Sequence, residues 1–218
     1  MIKFLNIVIS ILSLTGLMNA KPNKIYHGSR EKNEIYLTFD DGYSYKNTCL
    51  ILDTLKKHNI QAAFFLEGGF LDNHPALIKR MIDDGHIVAC HTWTHRDITL
   101  LSNDQFVREL NRYRARYKEI TNQEMPLYFR PPMGFIDEKK ERILSYRGYK
   151  IFLWDVNYVD YDRTKDYGVS YAYNSIVPHV QNGSIILMHT MLDSNALALD
   201  KILTDLKKTY VFKSISEL

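Results

Sequence analysis

From residue 35 onward the chain alternates short β-favouring apolar runs with longer stretches whose apolar positions recur every three or four residues. The runs at 35–39, 62–66, 86–90, 127–130, 150–154, 184–188 and 210–212 read as strands. Between them lie helical patterns. Residues 47–58 carry Ile51, Leu52 and Leu55 on one face, and 75–84 opens on a helix-compatible proline and stops at Gly85. Ser102 with Gln105 forms a capping box ahead of Phe106, Leu110, Tyr113, Tyr117 and Ile120. A pattern over 138–147 ends at Gly148, another ends at His179, and 195–208 closes the series. Strand–helix alternation implies a parallel sheet, and about seven such units predict an α/β fold, a distorted (β/α) barrel. In such barrels the chemistry sits at the carboxyl ends of the strands.

Composition narrows the setting. A chain of 218 residues, 45% hydrophobic, is long enough for one substantial core and therefore one domain over 35–218. The first twenty residues stand apart, with Lys3, an apolar run from Phe4 to Met18 and Ala20 at a plausible cut. That order is the grammar of a signal peptide, or of an uncleaved membrane anchor, and either places the rest of the chain outside the cytoplasm. Residues 21–34 are polar and turn-rich and read as an N-terminal extension. A formal net charge of +3 argues against a nucleic-acid partner and is compatible with an anionic envelope polymer. Two cysteines, Cys49 and Cys90, are too few for a disulfide scaffold and are expected as free, buried thiols.

The polar residues after each strand carry the functional signal. The first strand runs into Asp40, Asp41 and Gly42; the third into His91 and His95; the fourth into Arg130 and Gly134. The fifth leads to Asp155, Asn157 and Asp160, and the sixth to His189. Two adjacent carboxylates at a strand end cost free energy unless a positive charge sits between them. Two histidines four apart reach one ion from a helical turn or tight loop, and a carboxylate completes a three-ligand site with open positions. One carboxylate would bind that ion and the other would face the water it acidifies. Gly42 would let the backbone turn tightly after the pair.

The segments "TFDDG", "HTWTH", "RPPMG", "VNYVDY" and "LMH" resemble, in order and spacing, the five motifs of the polysaccharide deacetylases, the NodB-like domain of carbohydrate esterase family 4. The likeness spans about residue 36 to the C-terminus. Within the family, "LIKRMIDDGH", "YAYN" and "LMHTMLDSNALALDKILTDLKK" look like the muramic-acid deacetylases of spore-forming bacteria. The resemblance implies hydrolysis of an N-acetyl group on peptidoglycan, with Asp40 as general base and His189 as general acid. It implies Asp41, His91 and His95 as ligands of one divalent ion, zinc first and cobalt or manganese as alternatives. Asp160 would orient His189, and Arg130 would fix the Asp40 carboxylate. Tyr161 and Leu187 would wall the acetyl pocket, and backbone N–H groups near Met133 and Gly134 would meet the oxyanion. The implied partner is the glycan alone, with the protein expected to be a monomer.

Several positions depart from the family pattern. Asn157 and Tyr161 stand where Asp and Trp are usual, and Asp41 stands where the muramic subgroup usually has Asn. Met133 occupies a slot in which that subgroup tends to carry Arg, so the lactyl carboxylate of muramic acid would need another partner, Arg96 or Arg163. Trp93 could stack on a sugar or pack, Trp154 reads as core, and the tyrosines of 158–173 could line a glycan groove or stiffen its rim. His58, His74, His86 and His179 read as structural or surface residues. An N-acetylglucosamine deacetylase, an O-acetyl esterase and a non-catalytic glycan-binding module are the competing readings.

Overall fold

The computed structural model describes residues 24–41 and 44–218. The leader or anchor expected over 1–20 and the turn expected at Gly42 lie outside the described residues. Among the described residues, no helix is long and apolar enough to cross a membrane.

The first strands and helices are β1 (Lys24–Ile25), β2 (Glu34–Asp41), α1 (Tyr45–His58), β3 (Ala63–Leu66), α2 (Gly68–Asn73), α3 (Pro75–Asp83) and β4 (Ile87–Cys90). They are followed by α4 (Asn103–Thr121), β5 (Tyr128–Phe129), α5 (Glu138–Tyr146) and β6 (Lys150–Phe152). The chain closes with α6 (Val169–Ile176), β7 (Ile185–His189), α7 (Asp193–Leu206) and β8 (Val211–Lys213). All pairings between these strands are parallel, in the order β1-β6-β5-β4-β3-β2-β7, with β8 beside the first half of β2. The ladder is interrupted between the two ends of that order. Single bridges, His27–Ser184 and Val156–Ile186, tie the segments following β1 and β6 to β7.

Seven of the strands answer to the seven apolar runs. The eighth, β1, lies in the stretch expected to be turn-rich: Lys24 and Ile25 pair with Ile151 and Phe152. Two residues are too few to show alternation, so only the open edge of β6 makes them a strand. The expected local signals hold elsewhere. Gln105 N–H donates to Ser102 Oγ (3.2 Å) while Ser102 N–H donates to Gln105 Oε1 (2.8 Å), closing the box at the start of α4. Gly85, at φ +84°, turns the chain out of α3.

Period-two alternation divides β2 between two cores. Ile35, Leu37 and Phe39 face the helix layer with Leu52, Leu55, Ile186 and Leu199. Tyr36 faces the enclosed side of the sheet with Phe65, Phe152, Ile185 and Ile215. Both faces are covered, which is why the run reads as continuously apolar. The cysteines form no disulfide; Cys90 is buried and Cys49 partly so.

Candidate active site

Strand β2 does not stop before its carboxylates as expected: the ladder runs through them. Asp40 lies opposite Phe65 on β3 and His189 on β7, and Asp41 lies opposite Leu66. Alternation then separates the two acids by face. Asp40 Oδ1 accepts a hydrogen bond from Arg130 Nη1 at 2.7 Å, whereas Asp41 Oδ2 accepts one from the Thr48 hydroxyl of α1 at 2.6 Å. Both carboxylates are buried, 6% and 5% exposed, so charge pairing and hydrogen bonds rather than water must hold them ionised.

Arg130 supplies the positive charge that the adjacent acids require. It is fully buried, its guanidinium lies 4.2 Å over the Phe65 ring, and its remaining N–H groups reach the Phe152 and Leu153 carbonyls at 3.2 Å. Burial pushes the Asp40 carboxyl up, but Arg130, His91 and His189 together outweigh it and hold it below the ordinary carboxylate range.

His91 and His95 sit in the loop after β4, a tight turn rather than a helix: Thr92 and His95 have φ of +69° and +52°. Glu109 of α4 fastens this loop by accepting from the Trp93 and Thr94 N–H groups at 2.7 and 2.9 Å. The two imidazoles lie 4.9 Å apart, and His91 Nε2 is 3.4 Å from Asp40 Oδ2. Nδ1–H of His91 donates to the Arg130 carbonyl at 2.8 Å, which leaves Nε2 with its lone pair toward the cavity. Burial lowers the His91 pKa to about 4, and burial also lowers that of His95. A neutral imidazole is what a divalent ion takes as a ligand, and His91 has in addition one nitrogen fixed and the other free. Thr48 and Arg130 thus serve as outer partners of Asp41 and His91, and in donor type the set fits a divalent ion. Among the described residues no three His, Cys, Asp or Glu side chains are drawn together as closely as a bound ion would hold them.

Across the cavity, His189 ends β7. Its Nδ1–H and backbone N–H donate to the two oxygens of Asp160, each at 2.7 Å. Asn195 Nδ2 adds a third bond to Asp160 at 2.7 Å, and Asn195 accepts one itself from the Tyr158 hydroxyl. Burial lowers the His189 pKa, yet the Asp160 bond and charge, with Asp40, more than compensate and leave it raised.

These groups share a cavity of about 520 Å³. Asp40, Asp41, His91, His95 and His189 line it together with Met133, Tyr161 and Leu187. The Tyr161 ring lies 5.9 Å from that of His189. Gly134 is not in the wall: it shapes the turn below Met133, where φ is +76° and an added Cβ would come 3.1 Å from Trp154. Its N–H is bonded to the Pro131 carbonyl at 3.1 Å.

Glu67, Phe135, Trp154 and Met191 also line the cavity, and local pattern did not single them out as site residues. Glu67 and Trp154 each follow a strand, so the carboxyl-end rule contained their signal. Asp155 does not join the site: it pairs with Arg30 at 2.6 Å and accepts from the Ile185 N–H. Arg96 and Arg163, the expected partners of a substrate carboxylate, are absent from the cavity wall, and Arg96 faces a separate groove beside Trp93. Trp93 packs beneath the histidine loop under the Arg112 guanidinium, 3.9 Å from its ring, rather than into the cavity.

Comparison with known proteins agrees with this geometry. The polysaccharide deacetylase family model matches residues 27–152. The peptidoglycan-N-acetylmuramic acid deacetylase PdaA of Bacillus subtilis is 40% identical over 199 residues, 91% of this chain and 76% of that protein. A peptidoglycan-N-acetylglucosamine deacetylase of Bacillus cereus is 32% identical over 189 residues, covering 84% of this chain and 66% of the relative. The solved structure of Bacillus subtilis PdaA, described as a family 4 carbohydrate esterase, superimposes with a TM-score of 0.88 over 94% of this chain and 88% of its own. Deacetylases of this family depend in general on a metal ion. This chain belongs to the polysaccharide deacetylase family.

Proposed function

We propose that this protein removes N-acetyl groups from muramic acid residues of peptidoglycan whose stem peptide has already been cleaved away. The observation that carries a hydrolytic reading is the pairing of Asp40 with His189 across one cavity, each backed by its own buried partner, Arg130 and Asp160. The muramic reading rests on the likeness to PdaA.

Asp41, His91 and His95 would hold a divalent ion, zinc before cobalt or manganese. Bound there, such an ion would polarise the acetyl carbonyl and make a water molecule more acidic. Asp40, kept ionised by Arg130, takes the proton from the attacking water through Oδ2. As the water oxygen bonds to the acetyl carbon, the carbonyl oxygen gains charge, and the Met133 N–H would be its donor from the 132–134 turn, since Pro132 has no N–H and that of Gly134 is engaged. When the carbon–nitrogen bond breaks, His189 donates its Nε2 proton to the departing amine. Acetate and a free amino sugar leave. Asp160 holds the imidazole by Nδ1, so Nε2 is the nitrogen left to face the cavity. Leu187 and Tyr161 bound the space for the acetyl methyl.

One observation favours a second reading, N-acetylglucosamine as the sugar attacked. Among the described residues no lysine or arginine lines the cavity, and His189 is committed to the departing amine, so no guanidinium or ammonium group in the wall meets a lactyl carboxylate. Incubation with peptide-free and peptide-bearing glycan, followed by muramidase digestion and tandem mass spectrometry, decides between them. Loss of 42 mass units, roughly one acetyl exchanged for hydrogen, on muramic residues supports the proposal. Loss confined to glucosamine would replace it. Acetate release without a new amine would point to an esterase, and binding without turnover to a glycan-binding module. Chelation should abolish activity, and zinc, cobalt or manganese should restore it. The protein would act outside the cytoplasm as a monomer.

A further inference from the structure

A second concave surface lies on the outer side of the histidine loop, between that loop and α4. Two adjoining depressions of about 470 and 330 Å³ share Trp93 and Arg112. Arg96, Arg108 and Arg112 line them, with Trp93 and Leu101 as the apolar floor. Arg116, which lines the smaller depression with Asp72 and Glu119, is paired with both (2.8 and 2.9 Å), and Arg114 is paired with Glu124 (3.5 Å). By contrast, Arg96, Arg108 and Arg112 make no ion pair and no side-chain hydrogen bond among the described residues. Glu109, which also faces this groove, has its oxygens filled by the Trp93 and Thr94 N–H groups and the Thr94 hydroxyl.

Arg108 and Arg112 stand one helical turn apart, a like-charge spacing that weakens a helix. Arg112 also lies over an indole ring that meets Gly68 so closely that an added Cβ would come 2.2 Å from it. Arg112 gains its contact with the Trp93 ring, but Arg96 and Arg108 have no partner among the described residues to offset gathering three cations here. A local cost without a structural return marks a surface built for a ligand.

Resting on the function proposed above, we propose that this groove binds carboxylates of stem peptides carried by sugars next to the one being deacetylated. A glycan strand bound in the cavity extends beyond it, because about 520 Å³ holds only a short length, and the groove on the far side of the histidine loop is within the reach of its neighbouring peptides under this proposal. The neighbouring peptides present free carboxylates, and a planar guanidinium matches a carboxylate with two parallel hydrogen bonds. Trp93 and Leu101 offer contact for the peptide methyl groups. Substrate recognition is thereby divided: among the described residues the wall that the reacting sugar enters offers no lysine or arginine, and the carboxylates of its neighbours are met outside.

The test uses the double variant Arg96→Gln, Arg108→Gln, which leaves Arg112 on Trp93 and every cavity residue in place. On peptide-bearing strands its KM should rise roughly three- to tenfold with kcat unchanged, as expected for two exposed charge contacts. On short peptide-free oligosaccharides both constants should stay at the wild-type value. In parallel, co-sedimentation with isolated peptidoglycan is compared with the same material after its carboxylates are amidated. Wild-type protein should bind the native polymer better, more so at low salt, and the double variant should show no preference. An unchanged KM together with an unchanged preference overturns the inference, and so does equal weakening on native and amidated polymer. Because sedimentation needs no turnover, a protein that binds in this carboxylate-dependent way yet releases no acetate would sink the proposed function and leave the groove.

Discussion

Replacing Asp40 by Asn changes one charge and almost no volume, which makes it a clean probe of the buried centre. The Arg130 guanidinium is fully buried and has three acceptors: Asp40 Oδ1 at 2.7 Å and the Phe152 and Leu153 carbonyls at 3.2 Å. Only Asp40 is charged. With Asn in its place the cation keeps its hydrogen bonds and loses its counter-charge. Breaking a buried ion pair by neutralising one partner costs about 3–5 kcal/mol. Because three neutral acceptors remain, the lower end applies, about 3 kcal/mol, or roughly 6–12 °C in Tm for a chain of this size. The sign with pH comes from the depressed native pKa of Asp40. Its contribution is fully present above the ordinary aspartate range, about pH 4, and is lost as pH falls through the lower native value. Denaturant titration and calorimetry of chelator-treated protein measure the loss. The double variant Asp40→Asn, Arg130→Met, which removes both charges, should recover much of the stability while the rate stays about 10²–10⁴ below wild type. A single variant within about 0.5 kcal/mol of wild type, the range of an ordinary surface change, would refute the claim that this pair neutralises the site.

Three further outcomes rest on the same geometry. In Asp160→Asn the carboxylate that raises the His189 pKa is gone while burial still lowers it, so the basic limb of the kcat/KM–pH profile should move to lower pH; an unmoved limb removes Asp160 from the reaction. Thr48→Val deletes the 2.6 Å bond to Asp41 without changing shape much, and should weaken metal affinity roughly 10–100-fold in chelator competition. An affinity equal to wild type would mean that the Thr48 bond does not support a metal ligand. His86, whose pKa burial lowers to about 4, is neutral in the native state and binds a proton more readily unfolded, so it destabilises the fold as pH falls below the ordinary histidine range. At pH 5 that amounts to roughly 2 kcal/mol, and His86→Gln should flatten this part of the stability curve relative to wild type.

Much of the architecture was legible in local pattern. The seven apolar runs, the capping box at Ser102 and the stop at Gly85 depend on neighbours a few residues away, and each appears where its period or turn chemistry puts it. The residues at the strand ends were legible for the same reason: the strands of a parallel sheet all point one way, so the residues after each are delivered to one rim. Where local pattern fell short, the deciding partner was distant. The paired acids of β2 read as a charge problem without a visible solution, because the solution, Arg130, arrives from beyond β5 through the interior of the sheet.

The amino-acid sequence by itself determined the order of elements, the face that each side chain of β2 takes and the set of chemical groups at the rim. Tertiary structure decided which of those groups meet. Parallel register sets Asp40 beside His189, α1 brings Thr48 to Asp41, and α7 brings Asn195 to Asp160. It also removed Arg96 from the cavity and enlisted Trp154 and Glu67. The physical reason is one of range. Backbone periodicity is a property of consecutive residues, whereas neutralising a buried carboxylate, closing a cavity wall or leaving an arginine unpaired depends on which strands and helices lie side by side.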